Sequence, residues 1–351
     1  VNPKQIVIQS SDNQYFRERL LAWNETVEHR TLPWRAEKNP YKVWLSEIIL
    51  QQTRVEQGLS YYESFVRKYP SICSLAEASD DEVFALWAGL GYYNRCRNLL
   101  HTARYICSEL DGKFPKTYEE IRALKGIGDY SAAAISSFAY ALPHAVVDGN
   151  VVRVLSRFFG INELPIRVQQ KRMYQELANR LLDVKVPGVY NQAIMDFGAT
   201  MCKPKLAKCS SCPLSKRCYA YNEGVVHQFP PKKEKLVLKK RNFHYLISED
   251  SNLYLRKRVS KDIWQNLYEP ILFEGELPAS LKSKKVYAER KQKLSHQEIR
   301  TFFYKISSSE IVNYVEEDYT PYSLDAMQSL PFPTSIRKFF KEEDYLKEIE
   351  K

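Results

Sequence analysis

The chain has 351 residues, enough for two or three domains each with its own core. Its 52 basic against 42 acidic residues leave a net charge of +10, which suits a polyanionic partner, nucleic acid first and an acidic membrane surface second. Hydrophobic residues at 44% and aromatic residues at 13% fit a globular protein, and no apolar stretch reaches the roughly 18 residues needed to span a bilayer.

The first residues, VNPKQIVIQSSDNQ, lack the apolar core of a secretory signal, so a soluble, intracellular chain without a membrane role is expected. A start on Val1 rather than methionine hints at trimming or processing. From about residue 12 to 222 apolar residues recur at three- and four-residue spacing, the period of helices. YKVWLSEIILQQT is one such segment, with Val43, Trp44, Ile48 and Leu50 as apolar contacts. Glu47 falls inside it, between Leu45 and Ile48, whereas a single glutamate is ordinarily an exposed surface charge. DEVFALWAGLGYYNRCRNLLHTARYIC reads as two helices broken at Gly89 and Gly91.

LKGIGDYSAAAI, residues 124–135, carries a Gly-x-Gly turn. No strand precedes it and a third glycine is missing, which argues against a dinucleotide cofactor. Helix, tight glycine turn and helix remain, an arrangement whose backbone amides and positive helix end suit one phosphate of a polymer. On its own the motif is equally a plain connection between helices. Further on, VVDGNVVRVL places Asp148 where an N-cap belongs.

Of seven cysteines, Cys73, Cys96 and Cys107 are scattered through helical sequence and read as buried thiols. The other four, Cys202, Cys209, Cys212 and Cys218, are spaced C-x6-C-x2-C-x5-C within 17 residues. In a reducing compartment such crowding favours a soft metal centre over disulfides or four free thiols. Spacing leaves zinc and a [4Fe–4S] cluster both open. KPKLAK, between the first two ligands, carries three lysines and suits a phosphate backbone.

Character changes at HQFPPKKEKLVLKKR, where paired prolines and a lysine run mark a linker over 223–240. NFHYLISEDSNLYLRKR then alternates apolar and polar residues around a polar turn, as a hairpin does. The remainder mixes strands with at least one helix, around IRTFFYKI and SIRKFFKEEDYLKEI. A large helical module followed by a smaller α+β one is the expected architecture.

Several of these stretches, in order, resemble the helix-hairpin-helix DNA glycosylases, and among them the adenine glycosylases called MutY. The resemblance runs through PWR (Pro33–Arg35), SEIILQQTRV, WAGLGYYNRCRNL, LKGIGDYSAAAI, VVDGNVVRVLSR and NQAIMDFGATMCKPKLAKCSSCPL, covering residues 13–222. It implies a mainly α glycosylase module over 1–222, with the hairpin at 121–135 and a cluster loop at 202–218. One [4Fe–4S] cluster on Cys202, Cys209, Cys212 and Cys218 is implied as well.

By the same resemblance Glu47 is the general acid that protonates adenine N7, and burial by its apolar helix would raise its pKa. Asp148 stabilises, or transiently bonds to, the sugar cation at C1′, and Asn150 orients the pair. Two carboxyl groups are what breaking a glycosidic bond requires. Tyr130 stands where related bifunctional enzymes carry a lysine that forms a Schiff base; tyrosine cannot form an imine, so the strand should stay intact or be cut only feebly, with Tyr130 instead helping to position Glu47 or the catalytic water. Arg35, Gln51, Gln52, Thr53, Gly91, Tyr92, Lys125, Gly126 and Gly128 are implied to contact DNA. Gln52 and Tyr92 would wedge into the duplex and offset the cost of unstacking a base.

Residues 241–351 resemble the MutT-like C-terminal domain of that family, most clearly at LYLRKRVSKDIWQNLYEPIL. The Nudix pattern of glutamates is missing, so nucleotide hydrolysis is not expected there. Leu294, Ser295 and His296 match a Phe-Ser-His loop that reads 8-oxoguanine, with leucine in place of the stacking phenylalanine. The implied partner is duplex DNA with adenine opposite 8-oxoguanine or guanine, bound by a monomer. The implied location is the cytoplasm and nucleoid of a bacterium, or the nucleus or mitochondrion of a eukaryote. Two rival readings are an endonuclease III-like lyase, which Tyr130 and the extra domain oppose, and a non-catalytic iron–sulfur DNA-binding protein, which Glu47 and Asp148 oppose.

Overall fold

The computed structural model describes residues 10–28, 31–232, 237–249 and 252–342. These form two compact units, one built from residues 1–73 and 101–234, the other from 74–100 and 235–351.

The first unit is helical. It comprises α1 (Ser10–Thr26), α2 (Pro40–Leu50), α3 (Val55–Lys68) and the start of α4 (Ile72–Ala76), then resumes along a later helix. The segment between holds α5 (Asp80–Trp87) and the start of that later helix, α6 (Tyr93–Glu109). After it come α7 (Tyr118–Ala123), α8 (Asp129–Tyr140), α9 (Gly149–Phe159), α10 (Val168–Leu181), α11 (Pro187–Thr200) and α12 (Tyr219–Asn222). The break expected at Gly89 and Gly91 is the gap between α5 and α6.

Asn39 starts α2: its side chain accepts from the Tyr41 and Lys42 amides, and Pro40 occupies the first turn, where its missing N–H costs nothing. Nearly every residue from Tyr41 to Ile49 is buried, so α2 is a core helix rather than an amphipathic one. It packs on α8, whose Ser131–Ser137 run is small enough to let the two backbones approach. α11 packs against α1, α8 and α9 and closes the core around Phe16, Leu155, Tyr174 and Phe197.

The turn between α7 and α8 is the expected glycine hairpin. Gly126 has φ +82°, a backbone region that side-chain-bearing residues rarely adopt. Ile127 buries its side chain as an anchor, and the Thr102 hydroxyl donates to the Lys125 carbonyl at 2.8 Å. Gly128 caps α8 with no side chain, leaving the first amides of that helix open.

The second unit holds a six-stranded mixed sheet in the order β4-β5-β1-β3-β2-β6. Its strands are β1 (Lys239–Ser248), β2 (Asn252–Lys257), β3 (Tyr268–Glu274), β4 (Ala288–Lys293), β5 (Gln297–Ile306) and β6 (Thr320–Ser323). Helices α13 (Ser308–Ile311), α14 (Leu324–Gln328) and α15 (Thr334–Glu342) follow within the same part of the chain. On α15, Phe339 stacks on Phe303 with ring centroids 4.0 Å apart. Glu269, almost fully buried, is compensated by Arg258, Arg256 and the Tyr245 hydroxyl, as a buried charge must be. The 74–100 segment belongs to this unit through Asp81, which pairs with Lys257 at 2.5 Å, and Ala88, whose carbonyl accepts from Arg337.

Two sequence expectations are corrected. NFHYLISEDSNLYLRKR is not a hairpin: β1 pairs antiparallel with β3 and parallel with β5, and β3 lies between β1 and β2. The alternation reports that each strand has a buried face, and says nothing of which strand lies beside it. Second, Cys73 and Cys107 are not buried thiols; both are half-buried and they form a disulfide with Cα atoms 5.5 Å apart. Their proximity arises from the return of α6 beside α4, which a separation of 34 residues conceals. Cys96 is a free buried thiol, as expected.

Candidate active site

Glu47 lies on the core helix α2 and is only 9% exposed. Its carboxyl is pushed up to about 7, chiefly by burial; the charge of Asp148 adds to the rise and a hydrogen bond from Tyr130 opposes it. α8 presents Tyr130 one residue into its first turn. Burial and the two neighbouring carboxylates hold the Tyr130 phenol well above its usual range, so it remains a donor. Its oxygen also lies 3.6 Å from Met195 Sδ. A hydroxyl has one proton, and an ionised carboxylate accepts it better than a thioether.

Asp148 caps α9 as expected, one carboxylate oxygen accepting the Val151 amide at 2.8 Å. The other oxygen accepts from Asn150 Nδ2 at 2.7 Å. The orientation of Asn150 is determined, because its Oδ1 receives Arg153 Nη2 at 2.8 Å and a guanidinium can only donate. Sequence reasoning missed Arg153, which is buried and also donates to the Cys202 carbonyl at 2.8 Å and the Gly198 carbonyl at 2.7 Å. Arg157 was missed as well; it donates to the Lys203 carbonyl at 2.7 Å and approaches Cys202 Sγ at 3.4 Å. The available signal was two arginines four residues apart in VVRVLSR, a pattern otherwise apolar.

The structure thus brings Glu47, Tyr130, Asp148 and Asn150 into one site. Gln51 extends from the end of α2 and donates to the Ser131 hydroxyl at 3.1 Å. Gln52 follows it, exposed, with φ +57°; Thr53 closes the turn through its amide on the Leu50 carbonyl. Arg35 is held in an ion pair with Asp196 of α11 at 2.5 Å. In the second unit, Tyr92 is 46% exposed, also left-handed at φ +48°, and follows Gly91 at φ +71°. Leu294, Ser295 and His296 form the tight β4–β5 turn, closed by the Leu294 amide on the Gln297 carbonyl at 2.8 Å.

Cys202, Cys209, Cys212 and Cys218 line one cavity between the end of α11 and α12, with Arg157 on its wall. Burial raises three of the thiols, Cys212 to about 12. Among the described residues no group of three or more histidine, cysteine or carboxylate side chains is set so as to hold one metal ion.

A family profile described as "HhH-GPD superfamily base excision DNA repair protein" matches residues 45–181, the stretch that contains Glu47, the glycine hairpin and Asp148. A thermostable thymine-DNA glycosylase of known structure superposes with a TM-score of 0.57 and 29% identity, covering 61% of this chain and 98% of that one. An adenine DNA glycosylase of Buchnera aphidicola subsp. Schizaphis graminum is 35% identical over 297 residues, covering 83% of this chain and 84% of that protein. The Homo sapiens adenine DNA glycosylase is 41% identical over 238 residues, 62% of this chain and 43% of the human one. The chain belongs to the adenine DNA glycosylase family, enzymes that hydrolyse N-glycosyl bonds in DNA.

Proposed function

We propose that the protein removes adenine paired with 8-oxoguanine or guanine in duplex DNA, by acid-assisted cleavage that leaves the strand intact. The observation that carries this reading is a buried carboxyl, Glu47, raised to about 7 beside a second, hydrogen-bonded carboxylate at Asp148. Two carboxyl groups in different environments divide the work of acid and anion.

Glu47 gives its proton to adenine N7. The C1′–N9 bond then breaks with both electrons leaving on the base, and the positive charge on the sugar falls to Asp148. Water adds its oxygen to C1′, and its spare proton returns to the Glu47 carboxylate. Asn150 and the Val151 amide hold Asp148 still, and Tyr130 holds the proton position on Glu47. Tyr130 has no amine, so no imine forms and no strand cleavage follows from it.

Lys125, Gly126 and Gly128 offer the open end of α8 to a backbone phosphate. Gln52 in the first unit and Tyr92 in the second are each suited to wedge into a duplex, and residues 241–351 read the opposite base through Leu294, Ser295 and His296. The four cysteines share one cavity with Arg157 on its wall, and the family resemblance favours a [4Fe–4S] cluster over zinc there. Cys202, Cys209, Cys212 and Cys218 would hold such a cluster, and the loop they span would then present Lys203, Lys205 and Lys208, which suit a phosphate backbone.

The test compares duplexes holding adenine opposite 8-oxoguanine, adenine opposite guanine, and thymine glycol, with and without alkali. Adenine release that breaks the strand only after alkali is expected. Direct cleavage at thymine glycol would instead favour a lyase, and binding without release a non-catalytic protein. Purified under anaerobic conditions, the protein should be yellow-brown and contain iron and inorganic sulfide in equal amounts; stoichiometric zinc would refute the cluster.

A further inference from the structure

The segment Pro143–Val147, which delivers Asp148 to the site, belongs to no helix or strand. Its buried backbone groups still require partners, and side-chain amides supply them. Asn179 Oδ1 accepts the Ala145 amide at 3.2 Å, and Gln175 Nε2 donates to the Ala145 carbonyl at 2.8 Å. Asn191 does most: its Oδ1 accepts the Val146 amide at 3.1 Å, and its Nδ2 donates to the His144 carbonyl at 2.8 Å and to Ser137 Oγ at 2.9 Å. Asn191 is 0% exposed, and these three bonds use its acceptor and both its donor hydrogens.

Ser137 lies on α8, the helix that carries Tyr130, so one amide joins the Asp148 segment to the Tyr130 helix. The rest of this face of α11 does related work. Met195, four residues on, meets the Tyr130 hydroxyl, and Gly198, three further, lies against Asn150. A Cβ at Gly198 would stand 2.7 Å from Asn150 Cβ, and one at Gly188 2.8 Å from the Ser137 carbonyl oxygen. Positions 188, 191, 195 and 198 follow the spacing of a single helix face. A glycine at each end lets that face press on α8 and α9 together.

We infer that Asn191 is a positioning residue for base excision, setting Asp148 and Tyr130 in register through the seam formed by this face of α11. The inference rests on the reading of Asp148 as the group that stabilises the sugar cation. Misplacement of a reacting group by an ångström can cost about a hundredfold in rate. Asn191→Ala should therefore lower the maximal single-turnover rate of adenine release by about 10- to 100-fold. The enzyme concentration giving half that rate should stay within about threefold of the parent's, because Asn191 is buried away from any DNA-binding surface.

Leu182→Ala, in the same core but off the seam, serves as the control: it should lower Tm while keeping the rate of the folded enzyme. If Asn191→Ala does not fold, Ser137→Ala removes one of the three bonds, and a rate loss of about threefold or more is expected. A parental rate in Asn191→Ala, or in Ser137→Ala should that be the variant used, overturns the inference. So does a loss in Leu182→Ala as large as that in Asn191→Ala. Asp148→Asn separates the two readings. If it is inactive while Asn191→Ala has the parental rate, only the positioning role fails; if it is fully active, the reading of Asp148 and this inference both fail.

Discussion

Glu47→Gln is expected to lower the single-turnover rate of adenine release by about 10²–10⁴-fold, the usual worth of a placed general acid. Glutamine keeps the size and hydrogen-bonding capacity of the side chain but has no proton to give. The parent's rate should fall as pH rises through about 7, because only the protonated carboxyl acts. The residual rate of the variant should lack that inflection. An unchanged rate, or the same inflection in the variant, would exclude Glu47 as the acid.

The same burial has a consequence for stability. The folded carboxyl lies at about 7 against an ordinary 4.5, so between those values the folded protein holds a proton that the unfolded chain has lost. This contribution is therefore full at low pH and is lost as pH rises from the unfolded value through the folded one. From about pH 6 to pH 8 the parent should lose on the order of 1 kcal/mol that Glu47→Gln does not. Thermal unfolding at both pH values measures it; parallel curves for the two proteins would count against a buried, neutral Glu47.

Asp148→Asn separates charge from structure. Asparagine caps a helix about as well as aspartate, so the Val151 amide keeps its partner and the fold should be retained. What disappears is the negative charge proposed to face C1′, and excision should fall by about 10²–10³-fold, in line with the loss of other transition-state electrostatic contacts. The asparagine must also meet Asn150, whose orientation Arg153 dictates. With its one oxygen on the Val151 amide and Arg153 holding the orientation of Asn150, the variant turns an amide nitrogen toward Asn150 Nδ2, and that hydrogen bond is lost. Parental activity in a well-folded Asp148→Asn would remove the carboxylate from the mechanism.

Much of this was legible in the chain itself. The helical period of residues 12–222, the glycine turn at 124–128, the cap at Asp148 and the cysteine spacing are local patterns, and local patterns survive in one dimension. Pairings across long separations do not. Neither the Cys73–Cys107 disulfide nor the placement of β3 between β1 and β2 leaves a mark on the residues involved. The 74–100 segment likewise reads as one more helical stretch, yet it belongs with the sheet.

At the site the same division holds, with a physical cause. The sequence and its family resemblance together singled out candidate groups: a glutamate within an apolar run, an aspartate at a helix start, and a tyrosine where related enzymes carry a lysine. Only the tertiary structure decided their state and their aim. The rise of Glu47 comes from burial by α2 and its neighbours, with Asp148, 101 positions away in the chain, adding to it. The aim of Asp148 comes from Asn150 and Arg153 and, through the segment before it, from Asn191 on α11. Burial and hydrogen-bond direction depend on what surrounds a group in three dimensions, and no spacing along a chain encodes them.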